Sequence, residues 1–478
     1  MTTNAKMTIN GQDVDTAAHL TVTNPANGDT LGTAPDAGMA ELDVAIAAAR
    51  AAFPKWRATP YAERQAVVVK VGEVITANAE ELIRSLTLEQ GKPTEQAQFE
   101  IFGASAWCAA TAMLELPVFV LEDEPGHRIE THHVPIGVVG SISPWNFPVM
   151  LSVWKVVHAI LAGNTMVLKP SPFTPLTVLR LGVLLRGVIP DGVLNIISGG
   201  DALGPMMTSH KGFDKISFTG SSATGRRVME SAAPTLKRVT LELGGNDAAI
   251  IMPDVDVAAT AESVFWSAFT NSGQVCIATK RAYVHDSIYD SFKSAITEIA
   301  KNVPMGDGSK QGTALGPIQN KAQYDRVKSL IEDSKANGYA MTQGYQPDET
   351  DGLFIPVTLI DNPPEDSRIV REEQFGPVLP LLRWTDEADV IARANDSEYG
   401  LGGTIWTKDI DAALRIAPQL ETGSVWINEA MAAHPHAAFG GHKQSGLGSE
   451  NGVDGLLEYT NPQTITVRRP VPAGPCPS

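Results

Sequence analysis

From residue 39 to 115, apolar positions recur at helical spacing, most clearly through Ala40-Glu41-Leu42-Asp43-Val44-Ala45-Ile46 and again from Ala62 to Ala77. That periodicity predicts a helical region. At Val138 the pattern changes to short apolar runs alternating with helices. Val138–Ile142, Thr165–Leu168, Val193–Ile197 and Lys215–Phe218 read as strands, with helices after Pro148 and from Leu176 to Leu185. Continuous apolar strands separated by helices predict a parallel sheet covered on both faces. Ala248–Ile251, Ala282–Val284 and Gly423–Ile427 indicate a second α/β unit. Two stretches fit neither unit. Val118–Leu121, the turn Glu124-Pro125-Gly126-His127 and Arg128–Val134 read as a hairpin, and Thr464–Arg468 alternates like a half-exposed strand.

Composition narrows the class. A chain of 478 residues has room for two or three domains with sizeable cores. Its net charge of −17, with no basic tract, argues against nucleic acid and anionic membranes as partners. No run is apolar enough to span a bilayer: Val149–Ala162 is broken by Lys155 and His158. The N-terminus lacks the apolar core of a signal peptide, and the prolines from Pro470 to Ser478 read as a frayed end. Cys108, Cys276 and Cys476 are too few and too widely spaced for a disulfide framework. A reducing, cytoplasmic setting is therefore expected. His434, His436 and His442 cluster, but no Cys or carboxylate spacing accompanies them, so no metal site is expected.

Candidate chemistry sits in short Gly- and Pro-marked segments. Asn271-Ser272-Gly273-Gln274-Val275-Cys276 offers a thiol, and Leu241-Glu242-Leu243-Gly244-Gly245-Asn246 offers a carboxylate. Seen alone, such a cysteine is more often a small buried hydrophobe. Pro144-Trp145-Asn146-Phe147-Pro148 lies where a strand gives way to a helix, the edge at which ligands enter open α/β sheets. An amide there can donate to an oxygen gaining charge. Phe218-Thr219-Gly220-Ser221-Ser222-Ala223-Thr224-Gly225 follows a strand and opens a helix, whose free N–H groups favour phosphate, although the spacing is not GxGxxG.

Taken together, and with Leu168-Lys169-Pro170-Ser171-Pro172, Glu372-Glu373-Gln374-Phe375-Gly376-Pro377-Val378 and Phe439-Gly440-Gly441-His442-Lys443-Gln444-Ser445-Gly446, these segments resemble the aldehyde dehydrogenase superfamily. The resemblance runs from about Pro25 to Arg469, in the family's motif order. Ala438 stands where that family usually has Pro.

The resemblance implies an α/β fold in three parts. These are a Rossmann-type cofactor domain (residues 1–117 and 136–243), an α/β catalytic domain (244–444) and a small oligomerisation sheet (118–135 and 456–478), extended between the subunits of a homodimer or homotetramer. It implies oxidation of a small-molecule aldehyde with NAD or NADP. Cys276 would be the nucleophile, Glu242 the base and Asn146, with the Cys276 N–H, the oxyanion donor, backed by Lys155 and Glu450 as a proton relay. The cofactor would lie against Ser143, Trp145, Lys169, Pro172, Gly220, Ser221, Gly225, Leu243, Glu373 and Phe375. Met150, Leu151, Trp154, Thr270, Val275 and Ile277 would line the aldehyde tunnel, with His434 and His436 at its entrance. That mostly apolar set favours aromatic or medium aliphatic aldehydes. A free thiol is only a few per cent ionised at neutral pH, so the cofactor, backbone dipoles or Glu242 would have to activate Cys276. A CoA-acylating relative, a silent scaffold protein and a thiol esterase are the alternative readings. The presence of Glu242 argues against the first, and the intact Cys276, Asn146 and Glu242 against the second.

Overall fold

The computed structural model describes residues 3–348 and 351–470, so Cys476 and the tail from 471 onward lie outside the described residues. The region expected to be helical forms four helices, Met39–Arg57, Tyr61–Ala77, Ala79–Gln90 and Thr94–Thr111. Gly91 closes the third in the left-handed conformation, at φ +91°, and a Cβ there would also meet the rings of Pro25 and Pro317.

An eight-stranded sheet follows the alternation that begins at Val138. Its order is Gly446–Leu447, Arg238–Glu242, Lys215–Thr219, Val138–Ile142, Thr165–Lys169, Leu194–Ile196, Met7–Ile9 and Gln12–Val14. The five central strands are parallel; the short strand at one edge and the N-terminal hairpin at the other run antiparallel. The Pro148–Leu161 helix has an apolar surface almost all round, which suits it only to a buried position, and Leu151 alone of its residues is not fully buried.

The second α/β unit is a seven-stranded sheet with the order Met341–Gln343, Thr358–Asp361, Val378–Trp384, Thr279–His285, Asp247–Ile251, Gly402–Trp406 and Ser424–Ile427. Only three of its strands carry a clear sequence signal. Val378–Trp384 contains Pro380, which cannot donate to a ladder, and Gly402–Trp406 opens on two glycines. Gly402 cannot bear a side chain: a Cβ would come within 2.4 Å of the Asp247 carboxylate and 2.6 Å of the Trp426 ring.

The remaining hairpin runs Phe119–Glu124 and His127–Pro135 around Pro125-Gly126, with a bulge between Val120 and Glu122. The third strand of its sheet comes from the same chain, not from another subunit. Thr460–Arg468 pairs along the second hairpin strand of the same chain, from Thr460 opposite Pro135 to Arg468 opposite His127. That ladder takes up the free side of His127–Pro135 and leaves the outer edge of Phe119–Glu124 unpaired.

Candidate active site

Cys276 sits on a tight loop after the Val257–Phe269 helix. Asn271 and Ser272 adopt left-handed backbone at φ 52° and 55°, a conformation non-glycine residues hold only when their surroundings impose it. Gln274 imposes it here. Its Nε2 donates to the carbonyls of Asn271 (2.8 Å) and Pro317 (3.2 Å), and its Oε1 accepts the Gln319 N–H at 2.9 Å.

The Asn146 side chain reaches the same loop, donating from Nδ2 to the Gln274 carbonyl at 3.0 Å. Its own carbonyl is gripped by the Asn271 amide (3.1 Å) and by Lys92 Nζ (2.8 Å). Lys92 is fully buried, pairs with Glu100 at 2.6 Å and lies 3.8 Å above the Phe147 ring. Glu100 also takes the N–H groups of Val149 and Met150, orphan donors at the start of the Pro148–Leu161 helix. Neither Lys92 nor Glu100 was visible in the sequence; Lys92 lies in the connection just before the Thr94–Thr111 helix that carries Glu100, about 50 residues from the Asn146 motif.

Glu242 ends the Arg238–Glu242 strand, buried, with neither carboxylate oxygen hydrogen-bonded. Burial, then the nearby Glu450 charge, holds its pKa well above the usual carboxylate range, while Lys155 opposes them. Lys155 forms a buried ion pair with Glu450 and donates to Ser217 Oγ at 3.0 Å. Ser217 in turn donates to Glu450 and receives the Tyr459 hydroxyl at 3.3 Å. Ser217 and Tyr459 thus extend the Lys155–Glu450 pair, and no sequence motif marked them.

Cys276 is partly open to solvent, yet burial pushes its thiol up to about 12. Lys280 is the charge that lowers it, whereas Glu242, Asp247 and Glu373 each raise it. An ionised Glu242 works against a second anion nearby, so the way open to it for activating Cys276 is to accept the thiol proton.

The residues expected to hold the cofactor fall along the ends of the first sheet and the facing loop of the second. Ser143 is buried and accepts the Ser152 hydroxyl at 2.8 Å. Buried Lys169 has its pKa lowered to about 8 by desolvation. Ser221 caps the Ser222–Ala232 helix, accepting the Thr224 N–H, and a Cβ on Gly225 would strike Leu243 at 2.6 Å. Gly220, Ser221 and Gly225 thus lie at one helix start packed against Leu243; the N–H groups of Gly220, Gly225 and Leu243 are taken by the carbonyls of Glu242, Ser221 and Ser445, and the first-turn N–H groups of Ser222 and Ala223 suit a pyrophosphate. Glu373, mostly buried, accepts the Gly245 N–H at 3.1 Å. Phe375 meets Trp145 edge to face at 5.3 Å and holds φ 48°, unusual for so bulky a residue. Pro172 lines a separate groove with Asn24, Pro25, Gln319, Asn320 and Lys321. A buried cation, a carboxylate, an aromatic pair and a helix start suit a dinucleotide.

Of the tunnel candidates, Met150, Leu151, Trp154, Val275 and Ile277 pack in one apolar cluster with Cys276. Thr270, half-buried at the start of the Cys276 loop, donates its hydroxyl to the Trp266 carbonyl at the end of its helix. Trp107, Trp426 and Phe439 join the cluster unannounced by sequence. Trp107 stacks on Trp154 at 4.7 Å and donates to Asn451. His434 and His436 are exposed, next to Met431–Ala433, which pack against the same cluster. The Phe439–Gly446 segment acts structurally: Ser445 binds the Leu243 and Gly400 N–H groups, and Gly446–Leu447 pairs beside Leu241 and Glu242.

A thiol on a strained loop, an amide donor and an unpaired carboxylate at the meeting of two α/β sheets define an enzyme class directed at carbonyl carbon. The aldehyde dehydrogenase family model matches residues 13–465, and the chain belongs to that family. It is 38% identical to the NADP(+) succinate-semialdehyde dehydrogenase GabD of Escherichia coli, over 94% of this chain and 95% of that protein. To phenylacetaldehyde dehydrogenase of Pseudomonas fluorescens it is 36% identical, over 97% and 95%. The solved NAD+ complex of aldehyde dehydrogenase from Bacillus cereus superimposes with a TM-score of 0.94 at 35% identity, covering 98% of this chain and 97% of the other.

Proposed function

We propose that this chain is a hydrolytic, NAD- or NADP-dependent aldehyde dehydrogenase acting on aromatic or medium aliphatic aldehydes. Cys276 Sγ adds to the aldehyde carbon as the carbonyl π-bond opens onto oxygen. Asn146 Nδ2 and the Cys276 N–H donate to that oxygen. A nicotinamide held beside Trp145 and Phe375 would supply the hydride acceptor for the same carbon. Glu242 then accepts a proton from water, whose oxygen attacks the thioester carbon; the C–S bond breaks, returning the thiol and releasing a carboxylic acid. The observation carrying this reading is Glu242: buried, without a hydrogen-bond partner and near enough for its charge to act on Cys276. An acyl transfer to CoA needs no such base.

Cofactor contacts follow the candidates above: the Gly220–Gly225 turn and helix start for the pyrophosphate, Lys169 for the adenosine ribose, Glu373 for the nicotinamide ribose, and Trp145 and Phe375 beside the ring. The apolar cluster around Cys276 supports an uncharged substrate, as in the phenylacetaldehyde enzyme, over a semialdehyde carboxylate. Lys155, the one cation in the tunnel segments, is occupied by Glu450. Residues 1–117 with 136–243, which carry all strands of the first sheet except Gly446–Leu447, would be the cofactor domain, and 244–444 the catalytic domain. Residues 118–135 and 456–478 form the oligomerisation part.

Glu242→Gln decides the central claim. Loss of a general base costs roughly 10²–10⁴-fold, so steady turnover collapses while a burst of reduced cofactor and an acyl adduct on Cys276 persist. Cys276→Ala should show neither. Turnover surviving in Cys276→Ala overturns the reading.

A further inference from the structure

Beneath the nucleophile lies a buried cation that the mechanism above does not use. Lys280 begins the Thr279–His285 strand one residue in, and its side chain is 3% exposed. Its ammonium donates to three carbonyls of one turn: Val275 at 3.0 Å, Cys276 at 2.6 Å and Ala278 at 3.3 Å. An ammonium has three protons to donate, so this arrangement saturates it and holds it still. Its fourth neighbour is Glu373, at 3.8 Å.

Asp247 lies alongside, opposite Thr279 in the neighbouring strand. The carboxylate is buried, no side chain donates to either oxygen, and the backbone of Gly402 is its one polar approach. Gly245 separates it from the nucleophile's backbone: a Cβ there would come within 2.6 Å of the Cys276 carbonyl and 2.7 Å of Asp247 Oδ1. The Asp247 carboxylate and the Cys276 peptide are thus packed with no room for a side chain between them.

We propose that Lys280 is a positioning residue that both orients the Cys276 peptide and supplies the positive charge favouring the Cys276 thiolate, with Asp247 as its pH-dependent counterweight. The proposal rests on Cys276 being the nucleophile. Among the charges acting on the thiol, Lys280 stands alone against Glu242, Asp247 and Glu373. Glu242 in turn faces Glu450 and Lys155, Asp247 faces Lys280, Glu373 and Arg281, and Glu373 faces Lys280 and Arg326. Burial raises the Asp247 pKa to about 7, with Lys280 opposing it. Below that pH Asp247 is neutral and Lys280 acts with less opposition; above it, the added negative charge offsets the lysine.

Alkylation of Cys276 by iodoacetamide tests this without substrate or cofactor, so it stands apart from any failure of the dehydrogenase reading. The full chain is alkylated across a pH series, and mass spectrometry follows Cys276 separately from Cys108 and Cys476. An opposite charge at such range lowers a pKa by about 1–3 units, so Lys280→Met should slow alkylation at least tenfold at mildly alkaline pH. Lys280→Arg should restore part of it. Asp247→Asn should match wild type well below pH 7 and react severalfold faster above it. A merely structural lysine gives the opposite sign, since a loosened loop exposes the thiol and speeds alkylation. Unchanged or faster alkylation in Lys280→Met overturns the proposal. If that variant does not fold, Asp247→Asn decides alone, and alkylation unchanged or slowed above pH 7 overturns it.

Discussion

At the scale of a single residue, we propose that Pro172 bears on the choice of cofactor. It stands three positions beyond Lys169, where a carboxylate would bond ribose hydroxyls and repel a 2′-phosphate. Proline does neither. Lys169, its pKa lowered to about 8, still carries most of its charge at neutral pH and can attract a phosphate. We expect NAD to be used with appreciable tolerance of NADP. Pro172→Glu should then lower kcat/KM for NADP far more than for NAD. Wild-type enzyme that already refuses NADP would remove Pro172 from the discriminating positions. Comparing the two cofactors in both proteins is sufficient.

The Arg238–Glu242 strand shows how an element sets a proton affinity. It is held in register on one side by Lys215–Thr219 and on the other by Gly446–Leu447. Both neighbours lead to the relay, Ser217 within the first and Glu450 just beyond the second. The Glu450 charge raises the Glu242 pKa and Lys155 lowers it. A base works in its ionised form, so activity rises with pH through that pKa. Glu450→Gln should move the acid limb of the kcat profile to lower pH, and Lys155→Met to higher pH, each by about one unit or less. Profiles that stay in place in both variants would show that the pair does not act on the base.

At the scale of the molecule, the three-stranded sheet remains open. Although Thr460–Arg468 completes it within the chain, Phe119–Glu124 is an unpaired edge. Val118, Phe119, Val120 and Leu121 are all about half or more exposed there. An apolar edge strand is a template for association, which monomers normally blunt. We expect a homodimer or a dimer of dimers. Leu121→Lys should shift light-scattering mass towards the monomer. A monomeric wild-type mass at micromolar concentration would contradict this.

Sequence by itself determined the features written in contiguous residues. The alternation from Val138 to Phe218 announced a parallel sheet, because strands buried on both faces must be apolar throughout. Cys276, Asn146 and Glu242 were legible because strand ends and Gly- or Pro-marked loops advertise themselves locally. Tertiary structure decided what meets what. Lys280 and Asp247 converge on Cys276 only because their strands are ladder neighbours, and Tyr459 reaches Ser217 from the far end of the chain. Thr460–Arg468 has the alternation of a strand in any partner's sheet, and folding chose its own. Ionisation was the least legible property. A carboxylate such as Glu242 or Asp247 reads as an ordinary acid in the sequence, and only removal from water together with the charges folded around it raises its pKa.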